Sequence, residues 1–298
     1  MIFMKFKQSI NEKVQKNGVY FIAEIGQNHQ GSLKIAKELV DSLKGTGVAA
    51  IKTAKRDIDV CLSETQKNTI YNNPNSFGKT YYEHRKALEL SREEFIELKE
   101  YSEKSGFDFI SSFTDLPSLN LLNEIGIECI KIASQRLADF KLLKAAAATH
   151  LPTIISTGMS SIKDVDEVVE IFKDSEKYLL QCTSTYPCPN NELNINVINT
   201  YKDRYKNKID GVGFSGHHTG IAADLAAYMS GSLIIERHYT LDRSMKGTDH
   251  AASLELRGVE NILKYISQIR ESMGTSDKIL IESEKVALNK LRSDLLTK

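Results

Sequence analysis

Eight short apolar runs recur along the chain: Tyr20–Ile25, Val48–Thr53, Phe107–Ser111, Ile127–Ile132, Thr153–Ser156, Tyr178–Thr183, Gly211–Ser215 and Ser232–Glu236. Each has the length of a strand. Their near-continuous apolarity predicts strands covered on both faces. Helical patterns lie between most of them. Leu33–Leu43 carries apolar residues at 33, 35, 36, 39, 40 and 43, one core-facing stripe. Ser91–Ser105 opens with Ser and has Glu three residues on, a capping-box start. Leu116–Ile125, Ser161–Phe172, Gly220–Met229 and Gly258–Met273 show similar patterns. Strand and helix in alternation imply a parallel sheet. Eight such units in one chain of this length favour a closed (β/α)8 TIM barrel over an open doubly wound sheet.

The chain has 298 residues, with 39 Lys+Arg balanced by 39 Asp+Glu. With 41% hydrophobic residues, this is ordinary globular usage, which argues against a disordered chain or one seeking nucleic acid by charge. The four cysteines, Cys61, Cys129, Cys182 and Cys188, form no CxxC pair, so a zinc knuckle is not expected and a reduced cytoplasmic setting is. No apolar run is long enough to span a membrane, and charges throughout the first residues argue against a signal peptide. The expected organisation is an N-terminal extension over 1–18, a barrel over 19–275 and a tail over 276–298. The weak alternation of MKFKQSI predicts a β-hairpin lid on the barrel floor. Residues 54–90 form a long connection after the second strand, of the kind that is functional or disordered.

The runs end on polar residues: Glu24, Lys52, Ser111–Ser112, Lys131 with Ser134, Ser156 with Thr157, Thr183–Ser184, Ser215 with His217, and Glu236 with His238. In a barrel all strand C-termini open on one face, which holds the active site. Two lysines, several hydroxyls and a Ser-Thr-Gly loop at 156–158 suit phosphate and carboxylate groups. Two histidines from neighbouring strands can share a divalent metal and leave positions open. The residues by themselves therefore point to metal-assisted chemistry on a small anionic substrate.

Seven stretches carry a resemblance: IAEIGQNHQGSLKIAKELV (22–40), FGKTYYEHRKALELS (77–91), CIKIAS (129–134), PTIISTGM (152–159), LLQCTSTYP (179–187), VGFSGHHTGIA (212–222) and IIERHYTLDRSMKGTDHAASLE (234–255). In these the chain resembles the sialic acid (N-acetylneuraminate) synthase family, over the whole barrel and in the same order. The resemblance implies an enzyme that condenses phosphoenolpyruvate with an aldose, a hexose or hexosamine with or without a phosphate. The product is a 2-keto-3-deoxy sugar acid of the sialic acid type, and phosphate is released. It implies that Lys52, Ser112, Lys131, Ser134, Ser156, Ser184 and Ser215 hold phosphoenolpyruvate. His217 and His238 become ligands of a divalent metal, Mn2+ or alternatively Mg2+ or Co2+. Glu24 handles a proton, and Tyr186 and Asp249 meet the acceptor. Glu24, Lys52, Lys131 and Asp249 form the expected catalytic set, His29 is a further candidate, and His84, His218 and His250 are expected as support.

The sequence departs from the family mainly where the acceptor would lie. Ala54 stands where Gln is usual, and Gln135-Arg136 follows Ser134 where Gly and an acidic residue are usual. Lys55, Arg56 and Arg136 are therefore expected to converge over the mouth and either replace the arginine of the family's further domain or grip a phosphate on the acceptor. The family's antifreeze-like domain would begin near KLRSDLLTK (290–298), so a homo-oligomer is expected, though not by exchange of that domain. No nucleic acid or membrane partner is expected. A shorter-chain ulosonate synthase and a non-catalytic sugar-binding paralogue are the alternatives.

Overall fold

The computed structural model of the protein describes residues 3–292, and all eight expected strands lie within them. They are β1 (Tyr20–Gly26), β2 (Ala50–Lys55), β3 (Asp108–Phe113), β4 (Ile130–Ile132), β5 (Thr153–Ser156), β6 (Lys177–Cys182), β7 (Gly211–Gly216) and β8 (Ile234–His238). Each pairs in parallel with the next, and β8 closes on β1, so the fold is a (β/α)8 barrel. Side chains alternate across each strand. One set, including Ile22, Ala50, Ile110, Ile154, Leu180 and Ile234, fills the lower barrel interior. The other, including Phe21, Ile51, Phe109, Ile155, Leu179 and Ile235, faces outward into the main core with the surrounding helices. Towards the strand C-termini the inward positions turn polar, with Glu24, Lys52, Ser112, Lys131, Ser156, Ser215 and Glu236 all buried.

The helices start where their caps predict. Ser91 accepts from Glu94 N, and the Glu94 side chain accepts from Ser91 N, closing the capping box of helix Arg92–Lys104. Ser32 caps Leu33–Ser42, and Ser161 with Asp164 caps Ile162–Ile171.

The expected N-terminal hairpin is a helix, Phe3–Asn17. Phe6, Ile10 and Val14 recur every four residues and make one stripe, and that period overrides the weak alternation of the first few residues. Phe6 packs edge-on against Tyr20 and Tyr178 of the barrel floor, with ring centroids 5.8 and 6.3 Å apart. Ser9 Oγ and Tyr20 OH both donate to Asp108 Oδ2 at 2.6 Å.

Residues 54–90 are ordered. They carry short helices Ile58–Cys61, Glu64–Lys67 and Tyr81–Ala87, the last two with capping boxes. The imidazole of His84 anchors the segment: its Nδ1 accepts from Phe77 N at 3.2 Å and its ring lies 4.4 Å from that of Tyr71. Asn75 Oδ1 accepts from Gly247 N at 3.2 Å, tying the segment to the loop after β8.

The barrel and its surrounding helices form one compact unit to Ser267, and a second begins at Gln268. That second unit holds the end of helix Leu256–Met273 and a further helix, Glu282–Leu291. The expected boundary at 275 falls inside it, and residues 293–298 of the expected tail lie outside the described residues. All four cysteines are free thiols. No described helix is long and apolar enough to cross a membrane.

Candidate active site

A cavity of about 340 Å³ opens where the strands end. Its wall contains Glu24 (β1), Lys52 (β2), Ser112 (β3), Lys131 (β4), Ser156 (β5), Ser215 (β7) and His238 (β8). The loops add Ser134, Ser184, Tyr186, His217 and Asp249. Twelve of the thirteen residues expected from the sequence thus meet in one place.

The charges in the cavity are tightly arranged. Strand register sets Glu24 beside both Lys52 and His238. Lys52 forms an ion pair with Glu24 and lies 3.9 Å from Glu236. Lys131 Nζ is 3.5 Å from Glu236 Oε1 and donates to Ser156 Oγ at 2.5 Å. Ser215 donates to the same Glu236 oxygen at 3.0 Å. Glu236 Oε2 makes no hydrogen bond among the described residues. Burial alone would raise the Glu236 carboxyl, but Lys131 and then Lys52 outweigh it and hold it well below the usual carboxylate range. Burial pushes the Lys52 ammonium down to about 8, against the pull of Glu236.

At the ends of β7 and β8 the two imidazoles lie close to each other, with ring centroids 5.4 Å apart. The ring of Tyr186 sits 4.1 Å from His217 and 6.1 Å from His238. His217 Nδ1 lies 3.2 Å from the Thr183 carbonyl. A carbonyl can only accept, so that nitrogen carries the proton and Nε2 keeps a free lone pair. Burial, then the neighbouring His238, lowers His217 to about 3. Burial also lowers His238, whose Nδ1 lies 3.9 Å from Asp249 Oδ2 and has no hydrogen-bond partner among the described residues. Burial would raise Asp249, but His238 and hydrogen bonds from Thr248 and Gln27 bring it below its ordinary value.

Gly158 marks a close approach of loop and strands. A Cβ there would collide with Ser184 Oγ and Ser134 Oγ. Its N–H instead donates to Ser134 Oγ at 3.0 Å. Three hydroxyls, a backbone amide and the Lys131 ammonium therefore surround one small space.

Of the three cations expected over the mouth, only Arg56 lines the cavity. Arg136 does not. It ends a single turn, Ser134–Arg136, and its guanidinium turns to Asp139 at 3.7 Å. Lys55 donates to the Leu90 carbonyl at 2.5 Å. Arg85, which the sequence reading left out, takes their place, donating to Gln27 Oε1 at 2.8 Å. Arg56 pairs with Glu89 at 2.8 Å, and no carboxylate among the described residues pairs with Arg85. Burial and then Arg56 lower Arg85, so the two guanidiniums feel one another. Glu236, named in the sequence only as the polar end of the eighth run, and Gln27 also line the cavity.

His29 lies apart from the cavity wall, buried, with Nδ1 accepting from Gly31 N at 3.1 Å. His84, His218 and His250 are likewise structural partners of loops.

A model of the NeuB family matches residues 39–278. Human N-acetylneuraminate-9-phosphate synthase is 34% identical over 281 residues, which are 94% of this chain and 78% of that protein. An N,N'-diacetyllegionaminic acid synthase of Campylobacter jejuni is 34% identical over 93% of this chain and 84% of its own length. The crystal structure of the sialic acid synthetase of Leptospira borgpetersenii superposes with a TM-score of 0.78 at 33% identity, covering 94% of this chain and 93% of that one.

Proposed function

The chain belongs to the NeuB family and is an enzyme of the sialic acid synthase type; on that premise we propose that it condenses phosphoenolpyruvate with a hexosamine-derived aldose, releasing phosphate and a nonulosonate. The observation that carries this reading is the single cavity in which two ammonium groups, a ring of hydroxyls and two neutral imidazoles converge. Lys131, Ser134, Ser156 and Ser184 suit the phosphate, while Lys52, Ser112 and Ser215 suit the carboxylate. Fixed positive charge in a buried pocket holds an anion more strongly than in water.

The enol carbon of phosphoenolpyruvate forms the new bond to the aldehyde carbon as the carbonyl π pair moves onto the aldehyde oxygen, which takes up a proton to become the product hydroxyl, and positive charge is left at C2. Water adds there and gives up a proton, and we assign Glu24 as its acceptor. The C2–O bond to phosphate then breaks, the pair of electrons leaving with phosphate, and the 2-keto group forms. Lys131 stays close to the charge that builds on the departing oxygens, while Lys52 holds the carboxylate.

His217 and His238 fit a divalent ion such as Mn2+. Both are neutral, Nε2 of His217 keeps its lone pair, and Nδ1 of His238 is buried without a hydrogen bond. Among the described residues no third His, Cys, Asp or Glu completes a ligand group, so the protein's share is two nitrogens. When bound, the ion supplies Lewis-acid polarisation of the aldehyde oxygen. Tyr186, tilted against His217 and edge-on to His238, and Asp249 shape the acceptor side.

Arg56 and Arg85 favour an anionic acceptor, because among the described residues Glu89 is the one carboxylate that pairs with either of them. A planar guanidinium fork matches phosphate oxygens. The human relative's product, as its name states, carries a 9-phosphate. The free thiols fit a reduced, cytoplasmic setting.

The test is phosphate release from phosphoenolpyruvate against aldoses with and without a terminal phosphate, with Mn2+ and after chelation. Turnover is expected with a phosphorylated N-acetylhexosamine and is expected to vanish on chelation and in His217→Ala or His238→Ala. Wild-type turnover in either variant after chelation would refute the metal assignment, and no aldose-dependent phosphate release would refute the reaction.

A further inference from the structure

Behind the wall that presents His217 and His238 lies a buried ionic cluster that the reaction does not use. Arg237 and His218 are 1% exposed and Asp224 is 0% exposed. Arg237 alternates with the inward-facing Glu236 and His238 on β8, so it points outward, towards the helix Ala222–Met229 that carries Asp224. Its Nη1 binds Asp224 Oδ2 and lies 3.1 Å from both His218 Nε2 and the Gly220 carbonyl. Its Nη2 donates to the His218 carbonyl at 2.7 Å. One guanidinium thus grips positions 218, 220 and 224.

The β7–β8 ladder ends at the pair Gly216 and Arg237. His217 lies one residue past it. Its carbonyl accepts from Cys188 N at 2.9 Å, a tie towards the β6 side. Towards β8 the tie is made by Arg237, the residue immediately before His238. A buried ion pair contributes little net stability, and this one leaves Arg237 Nε, Asp224 Oδ1 and His218 Nδ1 without partners among the described residues. Such a cluster is better suited to fixing geometry than to holding the fold together.

We infer that Arg237, braced by Asp224 and His218, is a positioning residue that sets the spacing of the His217 and His238 imidazoles so that one divalent ion can use both. The inference rests on the metal reading above. Isothermal titration of MnCl2 into the metal-stripped full chain tests it, with thermal unfolding of the same samples alongside. Arg237→Lys keeps a positive partner for Asp224 but loses the fork that reaches His218 and Gly220. The double variant Arg237→Met with Asp224→Asn removes both charges together, so no uncompensated ion stays buried.

Wild type is expected to bind one Mn2+ per chain. Both variants are expected to fold, the double one with an unfolding temperature near that of wild type, and to bind Mn2+ about 10–100-fold more weakly. Wild-type Mn2+ affinity in either folded variant overturns the positioning role. So does an affinity that merely follows the unfolding temperature from variant to variant. Absence of Mn2+ binding in wild type overturns the metal reading itself and this inference with it, which separates the two failures.

Discussion

His29 is 3% exposed, and its Nδ1 is already used as an acceptor for Gly31 N. Burial is the main cause that lowers it to about 4. In the unfolded chain an imidazole titrates near 6.5. Between those values the unfolded chain binds a proton that the folded chain does not. Stability therefore falls as the pH drops from about 6.5 to about 4, by roughly 3 kcal/mol from this group in the limit. Urea unfolding between pH 7.5 and 4.5 is expected to show the decline, and His29→Gln is expected to flatten it. An equally steep decline in the variant would rule out His29 as its source. His29 reads in the sequence as a candidate site residue, because its loop follows a strand end. Its burial comes from helix and loop packing that no local pattern announces. Glu236 shows the opposite gap. Its position at a strand end is legible, but its partnership with Lys52 and Lys131 depends on strands far apart in the chain meeting across the barrel.

At the scale of elements, the strands were legible because buried parallel strands are apolar on both faces, and the caps were legible because they are local. The segment 54–90 was not, since what it folds against lies in the loops after β1 and β8. Lys55, Arg56 and Arg136 looked alike in sequence, each a cation just past a strand. Asp139, three residues on, draws Arg136 away, and the Leu90 carbonyl takes Lys55. Arg85 reaches the mouth from a helix about thirty residues beyond its strand, so proximity in sequence gave no hint of it. Arg85→Ala is expected to lower kcat/KM for a phosphorylated acceptor about tenfold or more relative to its unphosphorylated counterpart. Arg136→Ala is expected to leave that ratio unchanged. A ratio that moves with Arg136 and not with Arg85 would return the role to the loop after β4.

Across the whole molecule, the lower barrel is built for packing and the upper barrel for chemistry. Phe6 and Ile10, each 1% exposed, close the floor at the opposite end from the cavity. Phe6→Ala is expected to cost about 3–5 kcal/mol, read as a lower unfolding temperature and denaturation midpoint, with kcat/KM unchanged under conditions where the chain is folded. A lost kcat/KM in fully folded protein would show that the floor and the mouth are coupled. The barrel itself was plain in eight repeated runs, whereas the helix beneath it only acquires a defined face once Tyr20 and Tyr178 exist as its floor. The ion pairs of Lys52 and Lys131 with Glu24 and Glu236 carry a last consequence. Before substrate arrives, the inner end of the cavity is an internal salt, both lysines already matched by carboxylates. A polyanion entering it acts as a competing counter-ion, and Glu236, once displaced, loses the two lysines that keep it acidic. It is then driven to take up a proton from solvent, so capture of an acidic substrate here becomes an exchange of ions coupled to the proton activity of the medium.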